Sequence, residues 1–377
     1  MQKEYDYLIV GAGLYGATFA YKAHQQGKRC LVIDRRAHTG GNTYCEETEG
    51  IHVHKYGPHI FHTSDKEVWD FVNSFVPFNH YVNSPLANYK GQIFNLPFNM
   101  NTFHQMWGVN TPSEAQAIID AQRAEVLETM KRLGHLEPMN LEEQALMLVG
   151  KDIYTTLVKD YTEKQWGRPC HQLPAFIIKR LPVRFTFDNN YFNDIYQGIP
   201  IGGYNKLIDG LLYGIEVRLC ADFFDDRSYW ESLAHTIVYT GRLDEFFYEC
   251  IGKLDYRTVR FTQQTLNTAN YQGNAVVNYT DAETPYTRII EHKHFEMFGQ
   301  EIYQNPQTIV SYEFPTEWSE GAEPFYPIND EANHKRATQY QAMASAQGNV
   351  IFGGRLAEYK YYDMAPIVKK ALHTHVK

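Results

Sequence analysis

The run Tyr5–Val10 is short and apolar, and it leads directly into Gly11-Ala12-Gly13-Leu14-Tyr15-Gly16. An amphipathic helix is expected from there to about Gln26, followed by a second apolar strand, Cys30–Ile33, that ends on Asp34. A glycine-rich loop alone says little, because glycine is common in turns. Here the strand, loop, helix, strand and acidic residue follow one another in the order that dinucleotide binding requires. Gly11 permits the tight turn, Gly13 lets a pyrophosphate approach the backbone, and Gly16 lets the helix pack against the sheet. The free amides at the helix start face the anion, and Asp34 is placed to accept hydrogen bonds from a ribose diol. Apart from Asp6, both strands are apolar throughout, as expected for a parallel sheet covered on two faces.

At 377 residues the chain has room for two or three domains. A net charge of −9 argues against a broad basic face for nucleic acid or anionic lipid, while leaving room for a local basic pocket. The five cysteines, Cys30, Cys45, Cys170, Cys220 and Cys250, form no CxxC pair, which speaks against a disulfide framework or a structural zinc site. No metal is expected. With no basic leader before an apolar run and no long apolar stretch, a cytoplasmic protein without membrane insertion is expected.

Further along, Ser113–Leu133 and Leu141–Lys164 carry apolar residues at helical spacing, behind the capping patterns Thr111-Pro112-Ser113-Glu114 and Asn140-Leu141-Glu142-Glu143. Residues from about Arg257 to Phe314 read as strands, including Ala275–Thr280 and Thr308–Tyr312. Gly198–Gly203 precedes a helix near Lys206–Leu212 and a strand at Glu216–Leu219. The chain closes with a strand at Asn349–Phe352, a Gly353-Gly354-Arg355 turn and a helix at Met364–Leu372. The fold class read from this is α/β, a Rossmann-like FAD-binding domain with an inserted helical subdomain and an antiparallel β-sheet subdomain. The first would comprise residues 1–80, 196–250 and 330–377. The helical substrate subdomain would cover 100–180, with a mobile lid near 170–185, and the sheet subdomain 81–99, 186–195 and 251–329.

Just after Asp34 stand Arg35, Arg36, Gly40, Gly41 and Asn42. An arginine and a glycine pair at this place resemble FAD proteins related to glutathione reductase and the amine oxidases, and the terminal Gly-Gly-Arg turn matches where such proteins close over the ribityl chain. No second GxGxxG accompanies it, so a separate nicotinamide domain is not expected. His59, in a Gly-Pro turn, reads either as simple turn chemistry or as a residue that brings its backbone or ring to a flavin edge. It is thereby a candidate catalytic and cofactor-binding residue, with Ile60 beside it. The pairs His52/His54 and His292/His294 lie in strand-like context and read as structural. On these features alone the function would be that of an FAD-dependent oxidase of the amine-oxidase-like class.

Six blocks narrow this: Lys55–Thr63, Phe94–Phe103, Tyr161–Gly167, Ile178–Arg184, Pro285–His292 and Gly354–Met364. Together they span the chain, and the sequence resembles the bacterial UDP-galactopyranose mutases. The resemblance implies an isomerase that interconverts UDP-galactopyranose and UDP-galactofuranose with no net redox change, serving galactofuranose and cell-surface polysaccharide biosynthesis. It implies FAD, active when reduced, whose N5 attacks the anomeric carbon and displaces UDP, and a homodimer.

By the same resemblance Arg180 and Arg288 are the arginines that meet the departing diphosphate, Arg180 on the lid. Tyr161, Thr162 and Trp166 fall at the uridine and sugar site, although an aromatic stripe at helical spacing is usually core. Tyr191, Tyr326 and Tyr361 match tyrosines that bond the diphosphate, and Asn83, Asn278, Glu313 and Asp363 match polar positions of the same cleft. Arg355 and Met364 match flavin contacts, completing a cofactor set with Gly11, Gly13, Leu14, Gly16, Asp34, Arg35, Gly41, Asn42, His59 and Ile60.

Overall fold

The computed structural model describes residues 3–178, 181–328 and 330–377. Two compact units emerge. The first comprises residues 1–81, 194–258 and 318–377, and the second 82–193 and 259–317.

In the first unit five strands form a parallel sheet in the order Val350–Phe352, Ala234–Tyr239, Tyr5–Val10, Cys30–Ile33 and Glu216–Arg218. Leu8, Ile9, Leu31 and Val32 are fully buried, which is why these strands read as apolar on both sides. One face is covered by helix Leu14–Gln25, which packs with Tyr204–Leu212 and Met364–His373. Tyr7 meets Phe19 there edge-on at 5.2 Å. On the other face Leu8 and Leu31 join Phe223, Tyr239 and Phe246 in an aromatic core.

The second unit holds both the helical segment and most of a larger sheet. Strands Tyr256–Leu266, Thr308–Glu317, Arg288–Glu291, Val276–Tyr279, Leu86–Tyr89 and Gln92–Asn95 lie side by side in that order. The first of them begins in the first unit, where Tyr256 and Arg257 pair with Tyr326–Pro327. Arg288–Glu291 runs antiparallel to both of its neighbours and Leu86–Tyr89 antiparallel to Gln92–Asn95, whereas Val276–Tyr279 runs parallel to Leu86–Tyr89. One face of Leu86–Asn95 shares a core with the helices, through Ala87, Phe94, Phe103, Ile119, Val149 and Leu157.

Helix Pro112–Leu133 starts on a capping box between Thr111 and Glu114, as the sequence pattern requires, and stops at Gly134. The helical spacing over Leu141–Lys164 is realised as a broken helical run. It is three pieces, Leu141–Ile153, a wider π turn at Tyr154–Val158, and Lys159–Trp166. Gly150 (φ +78°, ψ 174°) leaves helical geometry altogether. The amide this frees at Asp152 donates to Gln122 Oε1, on helix Pro112–Leu133, at 3.0 Å.

Candidate active site

The phosphate loop of the first unit shows what its glycines are for. Gly11 adopts φ +109°, and a Cβ there would stand 2.0 Å from Thr240 Oγ1. A Cβ at Gly16 would lie 2.0 Å from the carbonyl oxygen of Gly11, so helix and strand approach each other as only glycine allows. At Gly13 the nearest atom to such a Cβ is the Cα of Gly41, at 3.8 Å. Gly13 is therefore spared a side chain for the sake of something other than the protein's own packing. Helix Leu14–Gln25 has no side-chain cap and no acidic residue in its first turn, the arrangement that suits an anion at a helix start. Asp34 holds the loop in place by accepting from Ala12 N at 2.8 Å and from Arg36 N at 2.9 Å. Each carboxylate oxygen accepts more than one hydrogen bond, so this duty is compatible with a ribose diol.

Arg35 and Arg36 both reach Glu323, at 2.9 and 2.6 Å. Burial works to raise the Glu323 pKa, but the two guanidiniums outweigh it and hold the carboxyl below its usual range. Of the pair, Arg36 is the better enclosed. It donates to Asn42 Oδ1 at 3.0 Å and lies over the Tyr56 ring at 4.6 Å. Sequence reasoning named Arg35 and passed over Arg36, since two adjacent arginines look alike until the turn shows which one faces inward.

His59 accepts the Tyr204 hydroxyl on its carbonyl at 2.9 Å and donates its backbone N–H to His54 Nδ1 at 3.1 Å, so the Gly-Pro turn is tied into the core of the unit. Ile60 follows it directly, ahead of strand Phe61–Thr63. At the C-terminal turn Gly353 packs where a Cβ would lie 2.0 Å from the Tyr15 ring. Arg355 donates to the carbonyls of Phe325 and Tyr362 at 3.1 and 2.7 Å and lies over the Tyr361 ring at 4.9 Å, with Tyr326 at 5.9 Å. Its Nε is buried without a hydrogen-bond partner. Burial, then Asp363, raises the Tyr361 phenol, which is therefore a proton donor at neutral pH. Asp363 stands at the N-cap position of helix Met364–His373 with no capping bond from its side chain, and Met364 opens the first turn.

In the second unit three candidates stand in one cross-strand row. Glu313 pairs with Arg288 across one seam, and Arg288 with Asn278 across the next, so all three side chains leave the same face of the sheet. Arg288 donates through Nε and Nη2 to Glu313 Oε2, at 2.7 Å in each case. The other oxygen of Glu313 accepts Thr287 Oγ1 at 3.0 Å. The guanidinium plane is thus fixed by a carboxylate that is itself fixed. Asn278 Oδ1 is buried without a partner, a state that native proteins rarely keep without use.

Tyr191 sits on a loop anchored by Arg184, which donates to the carbonyls of Asn190, Tyr191 and Phe192. The Tyr191 N–H donates to the Asn83 carbonyl at 2.8 Å, bringing these two candidates together. Burial raises the Tyr191 phenol, and Arg288 pulls it the other way.

Tyr161, Thr162 and Trp166 lie on helix Lys159–Trp166, where Thr162 is buried and Trp166 packs against the helical core. The sequence reading missed Lys164 on the same helix. Its ammonium donates to the carbonyls of Tyr279, Thr284 and Tyr286 at 2.8, 3.0 and 3.1 Å. Burial lowers its pKa to about 8 against the pull of Asp281 and Asp160. A lysine on a helix surface ordinarily reads as solvated, so nothing in its spacing singled it out. Arg180 lies outside the described residues. His292 bonds Ser311 Oγ at 2.7 Å, and His294 stands 3.2 Å from Glu291.

The comparisons agree with this architecture. The family model for UDP-galactopyranose mutase matches residues 156–361, more than half of the chain and the part that carries Tyr161, Arg288, Glu313 and Arg355. The chain belongs to the UDP-galactopyranose mutase family. It is an enzyme of that family of isomerases, built on a Rossmann-like domain whose own model matches residues 9–75. A probable UDP-galactopyranose mutase of Klebsiella pneumoniae is 39% identical over 97% of this chain and 93% of its own length. A dTDP-fucopyranose mutase of Escherichia coli is 36% identical over 97% of this chain and 96% of its own. The crystal structure of a reduced UDP-galactopyranose mutase, 13% identical, shares the fold with a TM-score of 0.72, covering 98% of this chain and 94% of that one. Among the described residues no helix is long and apolar enough to cross a membrane.

Proposed function

We propose that this member of the mutase family interconverts UDP-galactopyranose and UDP-galactofuranose, with FAD in its reduced form and with no net redox change. The observation that carries the reading is the Glu313–Arg288–Asn278 row, a guanidinium of fixed orientation beside a buried, unpartnered amide oxygen. A diphosphate gains negative charge as it leaves the sugar, and a permanently charged, planar donor stabilises that charge most where its orientation is already set.

The first unit fits FAD on three counts: an uncapped helix start, a Gly13 with no packing reason to be glycine, and the orphaned Nε of Arg355. What a reduced flavin supplies, when bound, is a nucleophilic nitrogen that can take the anomeric carbon from its diphosphate and return it. Gly11, Gly13, Leu14 and Gly16 would hold the pyrophosphate, Asp34 the ribose, Arg35, Gly41 and Asn42 the turn beneath it, and His59, Ile60, Arg355 and Met364 the ring system. For the substrate, Arg288 and Arg180 would stabilise the departing UDP. Tyr191, Tyr326 and Tyr361 would donate to its phosphates, and Tyr161, Thr162 and Trp166 would seat the uridine. Asn83, Asn278, Glu313 and Asp363 would complete the polar lining. We place the enzyme in the cytoplasm as a homodimer.

A second reading takes dTDP-fucose as substrate, favoured by the Escherichia coli relative, whose identity is only three percentage points lower (39 less 36). One assay separates the two. Purified protein is incubated with UDP-galactofuranose or dTDP-fucofuranose, with and without dithionite, and the nucleotide sugars are resolved by chromatography. Conversion of the UDP sugar in the reduced sample alone is expected. Faster conversion of the dTDP sugar would transfer the assignment, and oxygen consumption without isomerisation would point to an oxidase.

A further inference from the structure

We propose that Lys164 is a positioning residue for the nucleotide sugar, locking the helix that carries Tyr161, Thr162 and Trp166 to the loop that joins Asn278 to Arg288. The inference rests on the substrate-site reading above. Lysines on helices normally bury the stem and keep the ammonium in water. Here the ammonium is turned inward onto three backbone carbonyls, those of Tyr279, Thr284 and Tyr286.

The placement of those acceptors is what points to substrate binding. Tyr279 immediately follows Asn278 at the end of strand Val276–Tyr279, and Tyr286 precedes Arg288 by two residues, at the entry to strand Arg288–Glu291. On the helix side Lys164 stands three residues after Tyr161 and two before Trp166. One cation therefore fixes the spacing of both candidate sets. Asp281 organises the loop from within, accepting from Glu283 N, Thr284 N and Thr284 Oγ1.

Three converging acceptors call for three N–H donors, which an ammonium has and a neutral amine or an amide lacks. With a pKa of about 8 the group is mostly protonated at neutral pH. The same unit contains its own control. Lys293, more deeply buried than the half-buried Lys164, likewise donates to three carbonyls, those of Ala269, Ile302 and Asn305, at 2.7, 3.0 and 3.0 Å. That cage joins segments that carry no candidate site residue.

The test compares Lys164→Met with Lys293→Met in flavin-loaded, reduced enzyme, at a temperature well below either midpoint. For Lys164→Met, KM and the UDP dissociation constant should rise about tenfold or more while kcat falls less than about threefold, the pattern of lost uniform binding. Lys293→Met should lower the melting temperature and leave KM unchanged. Lys164→Arg keeps the charge but presents a planar fork, so the rise in KM should shrink to between about threefold and tenfold. Lys164→Arg also carries the test if Lys164→Met does not fold, and a wild-type KM in that variant then overturns the proposal. So does an unchanged UDP affinity in folded Lys164→Met, or a rise in KM matched by Lys293→Met. Arg288→Ala and Trp166→Ala are measured alongside. If they too leave UDP affinity intact, the substrate-site reading has failed. If they weaken it while Lys164→Met does not, the positioning role alone has failed.

Discussion

Arg288 and Glu313 are oppositely charged partners across a strand seam, and on a protein surface such a pair contributes little. The carboxylate here is almost fully buried, takes two N–H groups of one arginine, and is braced by Thr287. The pair is a mount for the guanidinium more than a source of stability. Losing one such charge-assisted contact in a transition state costs about 2–4 kcal/mol, roughly a thirty- to thousandfold loss in rate. Arg288→Ala should therefore lose that much kcat/KM while keeping its flavin, and Arg288→Lys should recover only part of it. Steady-state kinetics beside the flavin-to-protein absorbance ratio decide the matter, and near-normal turnover in the alanine variant would place the anion site elsewhere. Gly16→Val makes the complementary prediction. A Cβ at that position would sit 2.0 Å from the Gly11 carbonyl, so the variant should purify without flavin. A fully loaded yellow variant would contradict the cofactor placement.

Among the elements, helix Met100–Trp107 shows how a cap can serve a loop far along the chain. Asn99 is fully buried, accepts from Asn101 N and Thr102 N, and donates to Asp188 O and Asn189 Oδ1 at 2.7 and 2.8 Å. Those two acceptors lie just before Tyr191 on its loop. Asn99→Ala removes a cap and leaves the buried Thr102 N–H without its acceptor, together about 2–4 kcal/mol. A melting temperature lower by several degrees and a weaker grip on UDP are expected, read by calorimetry and titration, and a variant of wild-type stability would refute the account. The capping box of helix Pro112–Leu133 was legible in four consecutive residues because a cap is local chemistry. The break at Gly150 was not legible. A glycine inside a helical pattern costs only about 1 kcal/mol against alanine, and what makes the break tolerable is Gln122 on another helix.

At the scale of the molecule, several carboxylates are held below their ordinary pKa. Burial raises each of Asp194, Glu291 and Glu323, but His62 and Ser64 outweigh it at the first, His294 and two backbone amides at the second, and the arginine pair at the third. A depressed folded-state pKa means that the unfolded chain takes up these protons first. Their contribution is present in full above the unfolded value near pH 4 and drains away as pH falls through the folded ones. Thermal midpoints should hold on the alkaline side of pH 5 and drop steeply below about 4, and a flat profile down to pH 3 would show that these groups carry no linkage. The nucleotide cradle is legible in the amino-acid sequence by itself because each of its demands is local: a strand's apolarity, a positive φ, a missing Cβ, an acid one strand later. Only tertiary structure brought Glu313, Arg288 and Asn278 into one row. Strand register depends on which faces are buried together, and the two seams of that row join segments with no shared local pattern. Lys164 belongs to the same class, for an inward-turned ammonium is recognised by its acceptors, and these lie more than a hundred residues away.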